Sequence, residues 1–470
     1  MDTKRFLLNG FYAKISFLVI WVFLSSFFIT PTVLAQTTDF AGGSGTISNP
    51  YQITNCIQLQ NVKNHLSSNF ILNNDVDCSD TINWNNGAGF EPIGSNLDNA
   101  FTGRFNGLSH IIYNLYINRP STNNVGLFGY VRNQRNYIER VGFSGASILG
   151  NYNVGILAGF GNYSSFSQSF SVGSLVKGVS RVGGLIGESY ASNIYNSYSV
   201  SSSVIGFRPS NIYPGYVGGL VGSHSYGNVV NSYSANYVSN AVYFSYSYVG
   251  GLVGYLGTNG QISNSYRNLE TSVSMVGGGG IPRNTDEMKQ GSTFSGWMIE
   301  SGSTWGISPS INDGYPYLKS FSLPSSPLNP ILSAVGQENK RIILNWRLPF
   351  GSNSASYYIY GSDTPDFVPS IDNKIADIVF SSPYEDTVPV TGVLRFYKVV
   401  AVNPGGSSVS NEVSALSLMT PISTCAELQD IKNNLSGEYI LVNNINCFET
   451  ANWNQEAGFE PIMNFRGVFD

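Results

Sequence analysis

The side chains best able to do chemistry are few in this chain, and the cysteines among them are evenly spaced. Cys56 and Cys78 stand 22 residues apart, as do Cys425 and Cys447. An even set at equal spacing favours two disulfides, Cys56–Cys78 and Cys425–Cys447, over a metal site, because no second Cys or His follows at a ligand spacing. The three histidines, His65, His110 and His224, are scattered, and none opens an H-E-x-x-H zinc helix. Asp75, Asp77 and Asp80 lack the ring pattern of a calcium loop and read as solvated turn carboxylates. No G-x-S-x-G elbow and no Gly-Lys pair for a phosphate loop occurs, and Gly277–Gly280 reads as a turn or hinge. From Gly150 to Tyr266 the one acidic residue is Glu188, whereas glycan cleavage needs grouped carboxylates. No catalytic residue, metal ligand or cofactor is expected. Tyr, Asn and Ser side chains remain, and these suit binding.

The elements that must hold these residues follow from composition. Of 470 residues only 11% are charged, while Gly, Tyr and Phe number 51, 29 and 28. That excludes a disordered chain and a coiled coil, and it fits many short strands joined by glycine turns. A net charge of −5 and a pI near 5.3 exclude nucleic acid as the main partner. Lys4, Arg5 and Lys14 precede an apolar run from Ile15 to Ile29, and Val33-Leu34-Ala35 suits cleavage after Ala35. Residues 1–35 are thus predicted to be a signal peptide, with an uncleaved anchor as the alternative. The mature protein is expected to be secreted or cell-surface, with no membrane span after cleavage.

Two kinds of internal repeat organise the rest. Cys56–Ile93 laid on Cys425–Ile462 gives 21 identities in 38 positions, including Trp84 on Trp453 and Phe90-Glu91-Pro92-Ile93 on Phe459-Glu460-Pro461-Ile462. Each copy predicts a short helix (Leu59, Val62, Leu66; Leu428, Ile431, Leu435) followed by a strand. Thr424 with Glu427 is a capping box, and Asn55 with Gln58 its analogue. Between the copies a glycine motif recurs: Gly126 and Gly129; Gly155 and Gly159; Gly183, Gly184 and Gly187; Gly218, Gly219 and Gly222; Gly250, Gly251 and Gly254. The valines that begin the five motifs are 29, 28, 35 and 32 residues apart, and a decayed sixth copy starts at Val276. A second motif keeps step with it, running Ile194-Tyr195-Asn196-Ser197-Tyr198, Val229-Val230-Asn231-Ser232-Tyr233 and Ile262-Ser263-Asn264-Ser265-Tyr266. Strand alternation would put apolar residue, amide and aromatic on one side. Coils stacked ~4.8 Å apart would then align Gln168, Asn196, Asn231 and Asn264 into an amide ladder, with Phe170, Tyr198, Tyr233 and Tyr266 stacked beside it.

That period predicts an all-β fold led by a β-solenoid, right-handed and β-helix-like, rather than a propeller. The Gly184-Leu185-Ile186-Gly187 core resembles the GLUG repeat of bacterial surface proteins. The preceding Gly89-Phe90-Glu91-Pro92-Ile93-Gly94 and Phe101-x-Gly103-x-Phe105-x-Gly107 blocks resemble the segment that leads into such repeats. The first rung departs, with Arg140 in the amide position, and an irregular coil is expected there. The resemblance implies an exposed scaffold of adhesin-like proteins, or the non-catalytic arm of an immunoglobulin-A-cleaving metallopeptidase, and brings no catalytic residue.

A domain plan follows. Residues 36–120 form an N-terminal capping unit with the Cys56–Cys78 bridge, and 121–320 the GLUG-repeat solenoid, closed at its far end by Met288–Leu318. Over 328–418, Trp346 and Phe396-Tyr397-Lys398-Val399-Val400-Ala401-Val402-Asn403 resemble a fibronectin type III β-sandwich, implying a spacer or ligand-binding module with Tyr397 in its core. Residues 419–470 begin a second, truncated GLUG-type unit. The function expected is a non-catalytic surface scaffold for adhesion or for binding an extracellular glycan or protein. A polysaccharide-cleaving β-helix is the enzymatic alternative.

Overall fold

The computed structural model describes residues 39–132, 137–207, 215–240, 248–272, 278–297, 299, 304–338, 340–349, 355–379, 381–389, 391–392 and 394–470. The expected signal peptide and the start of the sixth motif lie outside the described residues. No helix among the described residues is long and apolar enough to cross a membrane.

The glycine motif places each repeat directly on the one before. Ala158 pairs in parallel with Ile186, Ile186 with Val221, and Val221 with Val253. Pairings of this kind build a five-stranded sheet, a four-stranded sheet and a larger one of 17 strands. The five-stranded sheet holds Phe128–Arg132, Ala158–Asn162, Ile186–Tyr190, Val221–Ser225 and Val253–Leu256; the four-stranded sheet holds Tyr152–Gly155, Ser180–Gly183, Tyr216–Gly218 and Tyr248–Gly250. Gly155, Gly183, Gly218 and Gly250 end strands of the four-stranded sheet, while Gly129, Gly159, Gly187, Gly222 and Gly254 lie in the five-stranded one. Gly126, Gly184, Gly219 and Gly251 fall outside these strands. The two sheets approach backbone to backbone. A Cβ on Gly183 would stand 2.0 Å from the Ile186 carbonyl oxygen and 2.6 Å from the Gly222 nitrogen, so only glycine fits. Val154, Leu157, Ile186, Ile194, Leu220, Val229 and Leu252 fill the interior, each fully buried. Burying such a side chain is worth roughly 1.5–3 kcal/mol, and a rung obtains it only from its neighbours.

The amide column differs from the expected alternation. Gln168, Asn196, Asn231 and Asn264 have φ of 48°, 48°, 49° and 46°, in the left-handed region that amides tolerate best after glycine. The chain bends there, so Ile194 faces the inner core and Tyr198 faces a second, outer core. Arg140 takes the same conformation, φ 51°, within the strand Tyr137–Ser144, and the pairing with the strand before it shifts register at this point, between Asn106 and His110, so the first coil is irregular there. The serine after each amide satisfies the bend. Ser169 N donates to Ser197 Oγ (3.3 Å), Ser197 N to Ser232 Oγ and Ser232 N to Ser265 Oγ (both 3.1 Å). Each hydroxyl donates in turn to a carbonyl two residues back, such as Ser197 Oγ to Tyr195 O at 2.9 Å. A second file, from Ala146 N through Ser174 and Ser202 to Asn236, works the same way.

The outer core explains a further departure. Phe170, Tyr198 and Tyr233 stack at 4.9 and 5.2 Å, nearly parallel, and would face water uncovered. Rather than only closing the far end, the segment after Met288 runs back along this flank. Trp297 packs on Tyr266, Trp305 on Tyr233 and Tyr198, and Phe321 on Phe170.

The N-terminal cysteine unit joins the same large sheet. Tyr51 pairs with Phe70, Phe70 with Phe105, and Phe105 with Ile138, with no break in pairing at residue 120. Both disulfides are formed. The second unit repeats the first: Gln60 and Lys63 hold Glu91, and Gln429 and Lys432 hold Glu460, with the ion pairs at 2.5 Å in both. Between them lie two antiparallel sheets. One holds Ile331–Gln337, Arg341–Arg347 and Tyr384–Thr387, and the other centres on Ser356–Ser362 and Leu394–Asn403. Trp346 and Tyr397 are buried in their core, and the Tyr397 hydroxyl donates to Asp386 at 2.8 Å. The sandwich is seated on the rungs instead of standing off as a spacer: Ser356 Oγ donates to Gly173 O at 2.8 Å, and Tyr358 OH donates to Ser201 O.

Candidate functional site

The residues singled out in the sequence serve the backbone. The cysteines are paired, the glycines sit where sheets meet, and the amides turn the chain. The histidines do not come together. His65 packs by Phe40 and Tyr51; His110 Nδ1 meets Asp75 at 3.1 Å. His224 is buried with Nδ1 at 3.1 Å from Ser189 Oγ, and burial lowers its pKa. Asp75 also accepts from Ile111 N and Asp77 from Ser79 N, so both organise turns. Among the described residues no group of three or more His, Cys, Asp or Glu is placed to hold a metal.

A different set converges on the outward face of the five-stranded sheet. Register puts Tyr130, Phe160, Glu188, Ser223 and Tyr255 in one column, each beside the next. Tyr190 lies two residues beyond Glu188 on the same side, because side chains alternate along a strand. Tyr130 and Phe160 pack at 4.8 Å, and Asn162 Nδ2 donates to the Tyr130 hydroxyl at 3.0 Å. One rim carries Tyr163 and Tyr226, with ring centroids 6.1 and 5.2 Å from Tyr190. The other carries Tyr216, stacked on Tyr255 at 4.5 Å and 15°, with Tyr248 at 5.6 Å from Tyr216.

Near the middle of the face, Glu188 meets Arg181 at 3.5 Å. Burial raises the Glu188 pKa, and Arg181 works against that rise. One carboxylate flanked by a guanidinium and ringed by aromatics can accept and donate hydrogen bonds beside stacking surfaces. Glu188 is the one acid from Gly150 to Tyr266, whereas glycoside hydrolysis commonly uses a pair. Glu188 was visible in the sequence as the lone acid of the coils, and the tyrosines were visible as a class. Which tyrosines share a face was hidden by the unequal repeat lengths, since register alone fixes it.

Within the chain, residues 245–266 match the GLUG motif. A 151-residue stretch, 31% of the chain, is 34% identical to Halomucin of Haloquadratum walsbyi, and 99 residues, 21% of the chain, are 41% identical to a protein of Evansella cellulosilytica named as a Gly-rich membrane protein. The chain spans 2% and 11% of the lengths of those two relatives. Among solved structures, an Fn3-like protein from Clostridium thermocellum is 30% identical over 19% of this chain and 92% of that one, with a TM-score of 0.17. This chain thus carries a GLUG motif and is similar, over parts of its length, to these proteins.

Proposed function

We propose that this chain is an exported, non-catalytic surface protein in which a β-solenoid of GLUG-type rungs, with a fibronectin type III-like sandwich seated on it, displays a ligand-binding face for adhesion. The observation that carries this reading is the outward face around Glu188, where rings are held in register by the rungs beneath them. Binding residues on a rigid sheet lose little entropy when a ligand docks. Two disulfides suit an oxidising compartment, and one of the two relatives is named as a membrane protein.

Expression of the full chain in a bacterial host, followed by protease shaving of intact cells and by fractionation, tests the location. Shaved protein or protein in the medium, lacking residues 1–35 and free of thiols, is the expected result; a reduced cytoplasmic chain overturns the reading. Incubation with a polysaccharide panel tests the absence of catalysis. Turnover that disappears in Glu188→Gln would make the face an active site.

A further inference from the structure

We propose that the face around Glu188 binds a neutral oligosaccharide laid along the stacking direction, which deepens the display reading and rests on it. Three features select that chemistry. First, a carboxylate stands between rings along the column: ring at Phe160, hydrogen-bonding group at Glu188 and, past the buried Ser223, ring again at Tyr255. Phe160 and Tyr255 are three rungs apart, roughly 14 Å at the strand spacing. A pyranose chain offers the matching alternation, with apolar C–H faces that stack on rings and hydroxyls that bond to carboxylate and guanidinium.

Second, the charges cancel. Arg181 is paired with Glu188 at 3.5 Å, so the middle of the face presents no excess charge to an anionic polymer. Third, the surface is a sheet face rather than a sheet edge. Its strands already pair on both sides in the middle of the stack, so no backbone row is open to an added peptide strand. The exposed aromatics carry hydroxyls (Tyr163, Tyr190 and Tyr226 are 44, 38 and 46% exposed), so each offers a ring face for stacking and a polar tip for hydrogen bonding. The rings are also pre-positioned. Tyr216 is fixed by Tyr248 and Tyr255, and Tyr190 lies between Tyr163 and Tyr226.

Calorimetric titration of the full chain with cellohexaose, chitohexaose and a mannan-derived hexasaccharide, with a heparin oligosaccharide as the anionic comparison, tests this. At least one neutral sugar should bind, and Tyr190→Ala and Tyr255→Ala should each weaken it roughly tenfold. Tyr137→Ala, a half-exposed tyrosine on the large sheet, should leave affinity unchanged. Far-UV circular dichroism and melting of each variant confirm that the rungs persist; if Tyr255→Ala unfolds, Tyr190→Phe and Glu188→Gln take its place, with affinity falling in the second. The inference is overturned if no neutral sugar binds, if heparin alone binds, or if the alanine variants bind as the parent does. A chain that reaches the cell surface yet binds no sugar overturns this inference and leaves the display reading intact; one retained in the cytoplasm overturns display instead.

Discussion

The ammonium of Lys374, on the sandwich, stands over the ring of Tyr237, on the rung stack, with its nitrogen 4.7 Å from the ring centroid. It also meets Tyr358 at 5.1 Å and Asp377 at 3.0 Å, and Ser203 joins both charged groups. Lys177 approaches Asp377 from the rungs at 3.6 Å. Two parts that the sequence suggested as independent domains thus share one charged joint.

Acid should loosen that joint. Burial by itself would raise the Asp377 carboxyl, but Lys374, Ser203 and Lys177 outweigh it and hold the pKa below its usual value. A folded pKa below the unfolded one gives stability that is complete above about pH 4 and is lost as pH falls through the folded value. Asp377→Asn should cost about 2 kcal/mol at pH 7, below the full range for a buried pair because Asp377 is partly exposed. Melting temperature against pH should fall less steeply below pH 4 in that variant than in the parent.

The amide column is predicted to act through its backbone. Asn231→Gly should leave stability within about 0.5 kcal/mol, since glycine adopts φ near 49° freely, whereas Asn231→Val should cost about 1–3 kcal/mol. Denaturant unfolding of both variants decides it. Equal losses would mean that amide side-chain bonding, not the turn, is what the position requires.

Neighbouring tyrosines of one stack should respond in opposite ways. The Tyr198 hydroxyl is buried with no hydrogen-bond partner among the described residues, while Tyr233 OH donates to Pro316 O at 2.6 Å and accepts from Asn312 at 2.9 Å. Tyr198→Phe should be neutral or stabilising. Tyr233→Phe should cost about 1 kcal/mol, because it removes both of these bonds while the buried Asn312 amide keeps its bond to Pro316 O at 3.0 Å. Paired thermal melts of the two variants provide the comparison.

Loss of the N-terminal bridge should cost about 3 kcal/mol in the chain-entropy model for a loop of this size. Cys56→Ala with Cys78→Ala should therefore lower the melting temperature by several degrees. Ellman titration of the unreduced mature parent should find no free thiol.

Much of this architecture was legible because its signals are local and repeated. The cysteine spacing, the duplicated unit and the glycine motif each describe one rung, and stacking copies them. The strand limits at Trp346 and Tyr397 were legible for the same reason. Three things were not. The bend at Asn196 depends on a backbone angle that alternation ignores. The path of Trp297, Trp305 and Phe321 is set by the need to cover Tyr233, Tyr198 and Phe170, which is a tertiary demand. The gathering of Tyr190, Glu188 and Tyr255 follows from register across steps of 35 and 32 residues, where any constant period fails.

From Gln168 onward the joint between one rung and the next is made of the same parts: a serine hydroxyl, a left-handed amide and a glycine contact. Excising or inserting a whole period by unequal recombination would bring together surfaces that already fit, so genes of this design can change length without relearning how to fold. The stretch from Gly173 to Tyr237 is the exception, because the sandwich grips it at fixed intervals. Length polymorphism among natural alleles should therefore gather outside that stretch, leaving a constant saddle within a variable column.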